Sequence, residues 1–166
     1  MSGQEEWNNS PIGVFDSGVG GLTVAREIMR QLPNERIVYF GDTARVPYGS
    51  KSKETVTRYS RQIVHFLETQ QVKAIVAACN TASAYALEEL EKEVDIPMIG
   101  VVKPGARAAL AATTNGRIGV VATEATINSG IYSRYIEEHG ACAVFEFRFD
   151  LSALPYLPIK WYKNKD

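Results

Sequence analysis

The chain has 166 residues, 18 Lys and Arg against 19 Asp and Glu for a formal net charge of −1, and is 45% hydrophobic. That length suits one domain or two small ones and needs no disulfide or metal staple, and the composition excludes a disordered chain. A near-zero charge gives no electrostatic case for nucleic acid or an anionic membrane, so neither is expected as a partner. The longest apolar run, residues 74–79, falls far short of the ~18 residues of a membrane span. The polar start with Glu5 and Glu6 does not read as a signal peptide. Two cysteines, Cys79 and Cys142, make no disulfide framework and suit a reducing cytosol, which makes a cytoplasmic location the expectation.

In chain order, residues 12–15 and 36–40 read as strands, followed by residues 74–79, 97–102 and 117–123. All five are apolar almost throughout, as expected for parallel strands covered on both faces. Between them lie helix candidates over 21–31, 53–69, 82–93, 105–112 and 124–139. The second carries Val56, Tyr59, Ile63, Phe66 and Leu67 at three- and four-residue steps, one buried stripe, with Ser52 as its cap. Gly140 after His139 ends the last. This β-α alternation predicts a doubly wound α/β fold with right-handed crossovers, and ligands bind such sheets at the carboxyl ends of the strands. After Cys142 the pattern changes. Residues 145–151 alternate Phe or Leu with charges, the pattern of a strand with one wet face, and no helix signal follows. The basic end with Lys160, Lys163 and Lys165 reads as solvated.

Three strand ends carry polar clusters. The first runs into Asp16-Ser17-Gly18-Val19-Gly20-Gly21, the second through Gly41-Asp42-Thr43 to Pro47-Tyr48-Gly49, and the third into Cys79-Asn80-Thr81. A dinucleotide could use the glycine loop, with Asp42 on a ribose hydroxyl, but Thr23 stands where the third glycine or alanine belongs and Asp16 repels a pyrophosphate. The loop amides suit a smaller anion such as a carboxylate. No Gly-Lys-Ser/Thr occurs, which excludes a Walker loop. Cys79, at a strand's end and a helix's start, sits where unpaired N–H groups favour a thiolate and lower its pKa. Asp16 could relay a proton but raises the thiol pKa unless a substrate ammonium offsets it. Asp16 and Ser17 could equally cap the glycine turn. His65 and His139 read as surface or capping residues and Cys142 as buried. No cysteine, histidine or carboxylate pattern calls for a metal.

These segments resemble a known family. Pro11 to Thr23, Tyr39 to Gly49 (Tyr39-Phe40-Gly41-Asp42-Thr43-Ala44-Arg45-Val46-Pro47-Tyr48-Gly49) and Ala78-Cys79-Asn80-Thr81-Ala82-Ser83 are similar, in order, to the signatures of bacterial glutamate racemases. Residues 118–123 with Thr126 and Ser129 fit the start of that family's second lobe. The resemblance implies flavodoxin/Rossmann-like, parallel-sheet α/β lobes of the Asp/Glu racemase type facing across a cleft. It divides the chain into a polar extension (1–10), a first lobe with the Cys79 half-site (11–102), the start of a second, incomplete lobe (103–144) and a divergent tail (145–166). It further implies cofactor-independent interconversion of L- and D-glutamate for peptidoglycan, with Cys79 as one of two catalytic thiols and Asp16 assisting. Ser17, Tyr48, Gly49, Asn80 and Thr81, with Asp16, would hold the substrate. The family's second thiol lies in a Gly-Cys-Thr-His segment that this sequence lacks, and Cys142 does not match it. From Phe145 onward the expectation is a different reading frame or an aberrant gene end, which the coding DNA past codon 144 would reveal. Two alternatives stand beside this one. An aspartate racemase relative is the first, although the 16–21 loop and Pro47-Tyr48-Gly49 favour glutamate. The second is an inactive fragment that binds ligand or self-associates, as a homodimer, through an open sheet edge.

Overall fold

The computed structural model describes residues 9–140 and 142–148. The chain forms β1 (Ile12–Asp16), α1 (Leu22–Gln31), β2 (Ile37–Gly41), α2 (Lys53–Thr69), β3 (Ala74–Ala77), α3 (Asn80–Tyr85), α4 (Leu87–Leu90) and β4 (Met98–Gly100). It continues with α5 (Val102–Ala112), β5 (Arg117–Ala122), α6 (Glu124–Asn128), α7 (Ile131–His139) and β6 (Ala143–Arg148). The first four strands make one parallel sheet in the order β2-β1-β3-β4, while β5 and β6 pair in parallel in a second sheet.

Alternation along the central strand builds a core on each face of the first sheet. Ile12 and Val14 pack with Ala25 and Ile28 of α1, and Phe15 packs on the other side with Val56, Ile63 and Leu67 of α2. The expected stripe on α2 is correct for Val56, Ile63 and Leu67. Phe66 departs from it: it stays 43% exposed at the sheet's edge, where its ring meets Phe40 at 5.3 Å. Ser52 caps this helix, accepting from the Thr55 amide at 3.3 Å.

Several boundaries differ from expectation for local reasons. The third strand stops at Ala77, and the helix begins at Asn80 with Cys79 itself as the cap. That helix breaks at Ala86, where the backbone departs from regular geometry, leaving the separate α4. Helix α5 starts at Val102 and accepts Pro104 in its first turn, where a missing N–H costs nothing. The expected helix over 124–139 is divided at Gly130, whose φ of 62° lies in the left-handed region that favours glycine.

Among the described residues the second sheet is covered on one face only, contrary to the expectation for residues 117–123. Helices α5 and α7 bring Ala106, Tyr135 and Ile136 onto Ile118, Val120 and Val144. Val121 on the opposite face is 67% exposed. Strand β6 reverses the expected sense of its alternation. Phe145 and Phe147 are exposed, while Glu146 turns toward α7 and accepts from the Ser133 hydroxyl at 2.7 Å. Pairing of Val144 with Ile118 sets that register and puts the aliphatic residue, not the aromatic ones, under the helices. Cys142 is half-buried against this core rather than fully buried. Residues 149–151 of the expected strand and the rest of the tail lie outside the described residues, as do residues 1–8. No helix among the described residues is long and apolar enough to cross a membrane.

Candidate active site

The carboxyl ends of β1, β2 and β3 open onto one cavity of about 480 Å³. Asp16, Ser17, Tyr48, Gly49, Cys79, Asn80 and Thr81 all line it, so every site residue expected from the sequence meets there. A cavity of about 540 Å³ runs along β5 and shares Asn80 and Thr123. Its walls are mostly aliphatic and hold no thiol or carboxylate, so proton chemistry belongs to the first.

Cys79 is buried where the chain passes from β3 into α3. Its Sγ donates to the Ser17 hydroxyl at 3.4 Å and accepts from the Ala82 amide at 3.5 Å. Burial pushes the thiol pKa above its ordinary value and is the largest influence. The contacts with Ser17 and Ala82 pull it down, and the nearby Asp16 charge adds to the rise. The expected lowering therefore does not prevail: desolvation outweighs the few N–H groups at the helix start.

Asp16 does cap the glycine turn. Its Oδ2 accepts from the amides of Gly18 at 3.2 Å and Gly21 at 3.0 Å. Two loop amides that a phosphate or carboxylate would need are thus already occupied, a further argument against a pyrophosphate there. Asp42, the other half of a dinucleotide reading, is also committed: its Oδ2 accepts from the Tyr48 hydroxyl at 2.5 Å and from Arg45 Nε at 2.7 Å. Tyr48 is 1% exposed with its hydroxyl turned to Asp42, and burial with that carboxylate drives its pKa far up. What Tyr48 and Gly49 can offer a ligand is main chain. Among the described residues no acceptor meets the amides of either.

Sequence reasoning gave no site role to Thr123, Thr126 and Tyr132. The hydroxyls of Thr81, Thr123 and Thr126 form a closed triad, with Thr123 at 3.0 Å from each of the others and Thr81 at 3.3 Å from Thr126. Thr123 lines the cavity and caps α6, so the triad joins the first sheet's α3 to the second sheet's α6. The Tyr132 hydroxyl donates to Asn80 Oδ1 at 2.7 Å. These are contacts between residues distant in sequence, and no local pattern announces them. His65 is exposed beside Glu68, and His139 donates to the Tyr135 carbonyl in the last turn of α7, neither near the cavity. Among the described residues no three His, Cys, Asp or Glu side chains gather as a metal site requires.

Comparison with known proteins bears on this cavity. The sequence model of the Asp/Glu/hydantoin racemase family matches residues 12–152, reaching through β6 and past residue 144. A glutamate racemase of Geobacter metallireducens is 60% identical over 126 residues, 76% of this chain and 47% of the relative. The crystal structure of the Aquifex pyrophilus glutamate racemase aligns with a TM-score of 0.84 at 51% identity, covering 89% of this chain and 58% of that one. The Francisella tularensis glutamate racemase, solved in complex with D-glutamate, aligns with a TM-score of 0.77 at 45% identity over 84% of this chain and 52% of that one. The chain thus spans about half the length of the relatives it matches.

Proposed function

The chain belongs to the Asp/Glu/hydantoin racemase family, and from that premise we propose that its cavity seats glutamate and that Cys79 exchanges the substrate's α-proton. The observation that carries this reading is the buried Cys79 thiol held against Ser17, in a cavity that also presents Asp16, Asn80, Thr81 and the free amides of Tyr48 and Gly49. Ser17, Asn80, Thr81 and those amides hold the carboxylates and ammonium. Asp16 assists, and the substrate ammonium offsets the effect of its charge on the thiol. An α-proton beside an ionised carboxylate is very weakly acidic. Its removal needs a desolvated thiolate and donors aimed at the enolate-like charge that develops.

In the step itself the Cys79 thiolate takes the α-hydrogen, leaving the bonding pair on the α-carbon, and the thiol returns a proton to it. No cofactor takes part. Inversion needs a second thiol on the opposite face. Cys142 packs in the core of the second sheet and does not line the cavity, so these residues supply one face. The expected activity of the 166-residue chain is exchange without inversion. The reading extends to a cytoplasmic role in supplying D-glutamate for peptidoglycan.

Seating of the substrate is tested by alkylating the chain with iodoacetamide and locating the label by mass spectrometry. Glutamate at saturating concentration should protect Cys79 and leave Cys142 as reactive as before. Equal labelling of Cys79 with and without glutamate would remove the proposal. One observation favours a second reading, self-association as a homodimer: Val121, Phe145 and Phe147 stand exposed on one face of the second sheet.

A further inference from the structure

We propose that Asp42 and Arg45 are positioning residues that lock the 43–49 loop, so that the Tyr48 and Gly49 amides are held at the cavity wall. Asp42 lies at the end of β2, is 4% exposed, and its amide donates to the Asp16 carbonyl at 2.9 Å, which places it directly behind the candidate site. A single carboxylate oxygen gathers the Tyr48 hydroxyl and the Arg45 guanidinium. Arg45 in turn lies over the Tyr59 ring at 4.3 Å and donates to Gln62 Oε1 at 2.5 Å. Tyr59 and Gln62 both belong to α2, so Arg45, half-buried and paired with the buried Asp42, ties the loop to the longest of the described helices. The Tyr48 and Tyr59 rings, 5.8 Å apart, complete the contact. Beyond the clamp, the loop's carbonyls hold its surroundings: Tyr48 accepts from the Lys51 amide and Gly49 from the Ala125 amide, both at 3.0 Å.

A buried carboxylate is costly unless it is paired and hydrogen-bonded, and this one is satisfied by two donors that fix two points of the same loop. The arrangement also accounts for Asp42 without a nucleotide. Its charge faces inward to a tyrosine and an arginine and has no free approach from the cavity. The consequence for affinity rests on the reading that the cavity seats glutamate; the locking of the loop does not.

The test uses the full chain with Tyr48→Phe, which deletes a single hydroxyl, and Asp42→Asn, which keeps shape and removes charge. Folded fraction is checked by circular dichroism, and D-glutamate affinity and amide hydrogen exchange are measured well below Tm. Losing a hydrogen bond to a charged group should raise exchange at the Lys51 and Ala125 amides about tenfold in Tyr48→Phe, with β1 unchanged. D-glutamate affinity should fall about tenfold in the same variant. A merely structural role would lower Tm and leave affinity and the pattern of exchange intact. Parent-like affinity together with parent-like exchange in both variants would overturn the proposal. Should the parent itself fail to bind D-glutamate, the substrate reading falls and exchange alone decides. Loosening confined to Lys51 and Ala125 then upholds the clamp, and unchanged exchange refutes it.

Discussion

Gly49→Ala is the sharpest steric test of how the first sheet's loop meets the second sheet. A Cβ at residue 49 would stand 2.6 Å from Thr123 Cβ and 2.7 Å from its Cγ2. Ordinary carbon contacts lie at about 3.5–4.0 Å, so roughly 1 Å must open. Neither side yields easily. Thr123 caps α6 and bonds to Thr81 and Thr126, while the Gly49 carbonyl holds the Ala125 amide. Gly49 is not in the left-handed region, so the cost is crowding alone. Overpacking of this kind costs about 2 kcal/mol. That corresponds to a Tm lower by roughly 4–8 °C in a chain of this size. Urea unfolding followed by circular dichroism measures it. A double-mutant cycle isolates the contact: Thr123→Gly removes the opposing atoms together with the hydroxyl shared by Thr81 and Thr126, a loss of about 1–2 kcal/mol that the cycle subtracts. In that background Gly49→Ala should be nearly neutral. Gly119→Ala is the control, since a Cβ there meets nothing within 4 Å. A Gly49→Ala chain within about 0.5 kcal/mol of the parent would refute the reasoning, as would an equal loss in both backgrounds.

Three other outcomes are expected. In the ligand-free chain, alkylation of Cys79 should accelerate only above the ordinary thiol pKa of about 9, because burial raises it. Asp16→Asn, which keeps an acceptor for the Gly18 and Gly21 amides, should shift that profile to lower pH; a parent thiol titrating below the free-cysteine value would contradict this. The sign for stability follows, since the unfolded thiol ionises first: Cys79's contribution is intact below the unfolded pKa and is lost as pH rises through the folded one. Thr126→Val should cost about 1–2 kcal/mol by breaking the hydroxyl triad, and Thr126→Ser should restore most of it; equal stabilities in urea would argue that the triad contributes nothing. If the second sheet's open face drives self-association, replacing Phe145 and Phe147 by Ser should yield monomers in sedimentation velocity, whereas a parent that stays monomeric at every concentration removes that reading.

Much of the first sheet was legible because its strands are short apolar runs ending in glycine and polar residues. The three segments around Asp16, Tyr48 and Cys79 could be assigned to one crevice from fold logic, and the structure brings them to one cavity. Side-chain direction was not legible. Nothing local in Pro47-Tyr48-Gly49 tells that the Tyr48 hydroxyl turns inward to Asp42. Cys79 shows the same gap in electrostatics: a helix start suggests a lowered pKa, whereas burial, which depends on the whole fold, decides the direction. The alternation in residues 145–148 was visible, but which face is wet depends on the register of β6 against β5. The link from Thr81 to Thr123 and Thr126 spans more than forty positions and belongs to the meeting of two sheets.

The most direct test is to incubate the purified chain with L-glutamate and, separately, with D-glutamate in D2O, following α-deuteration and optical rotation together beside a Cys79→Ser control. The account predicts Cys79-dependent deuteration of one enantiomer with no change in its optical sense. No deuteration of either enantiomer, or deuteration that survives Cys79→Ser, would contradict it.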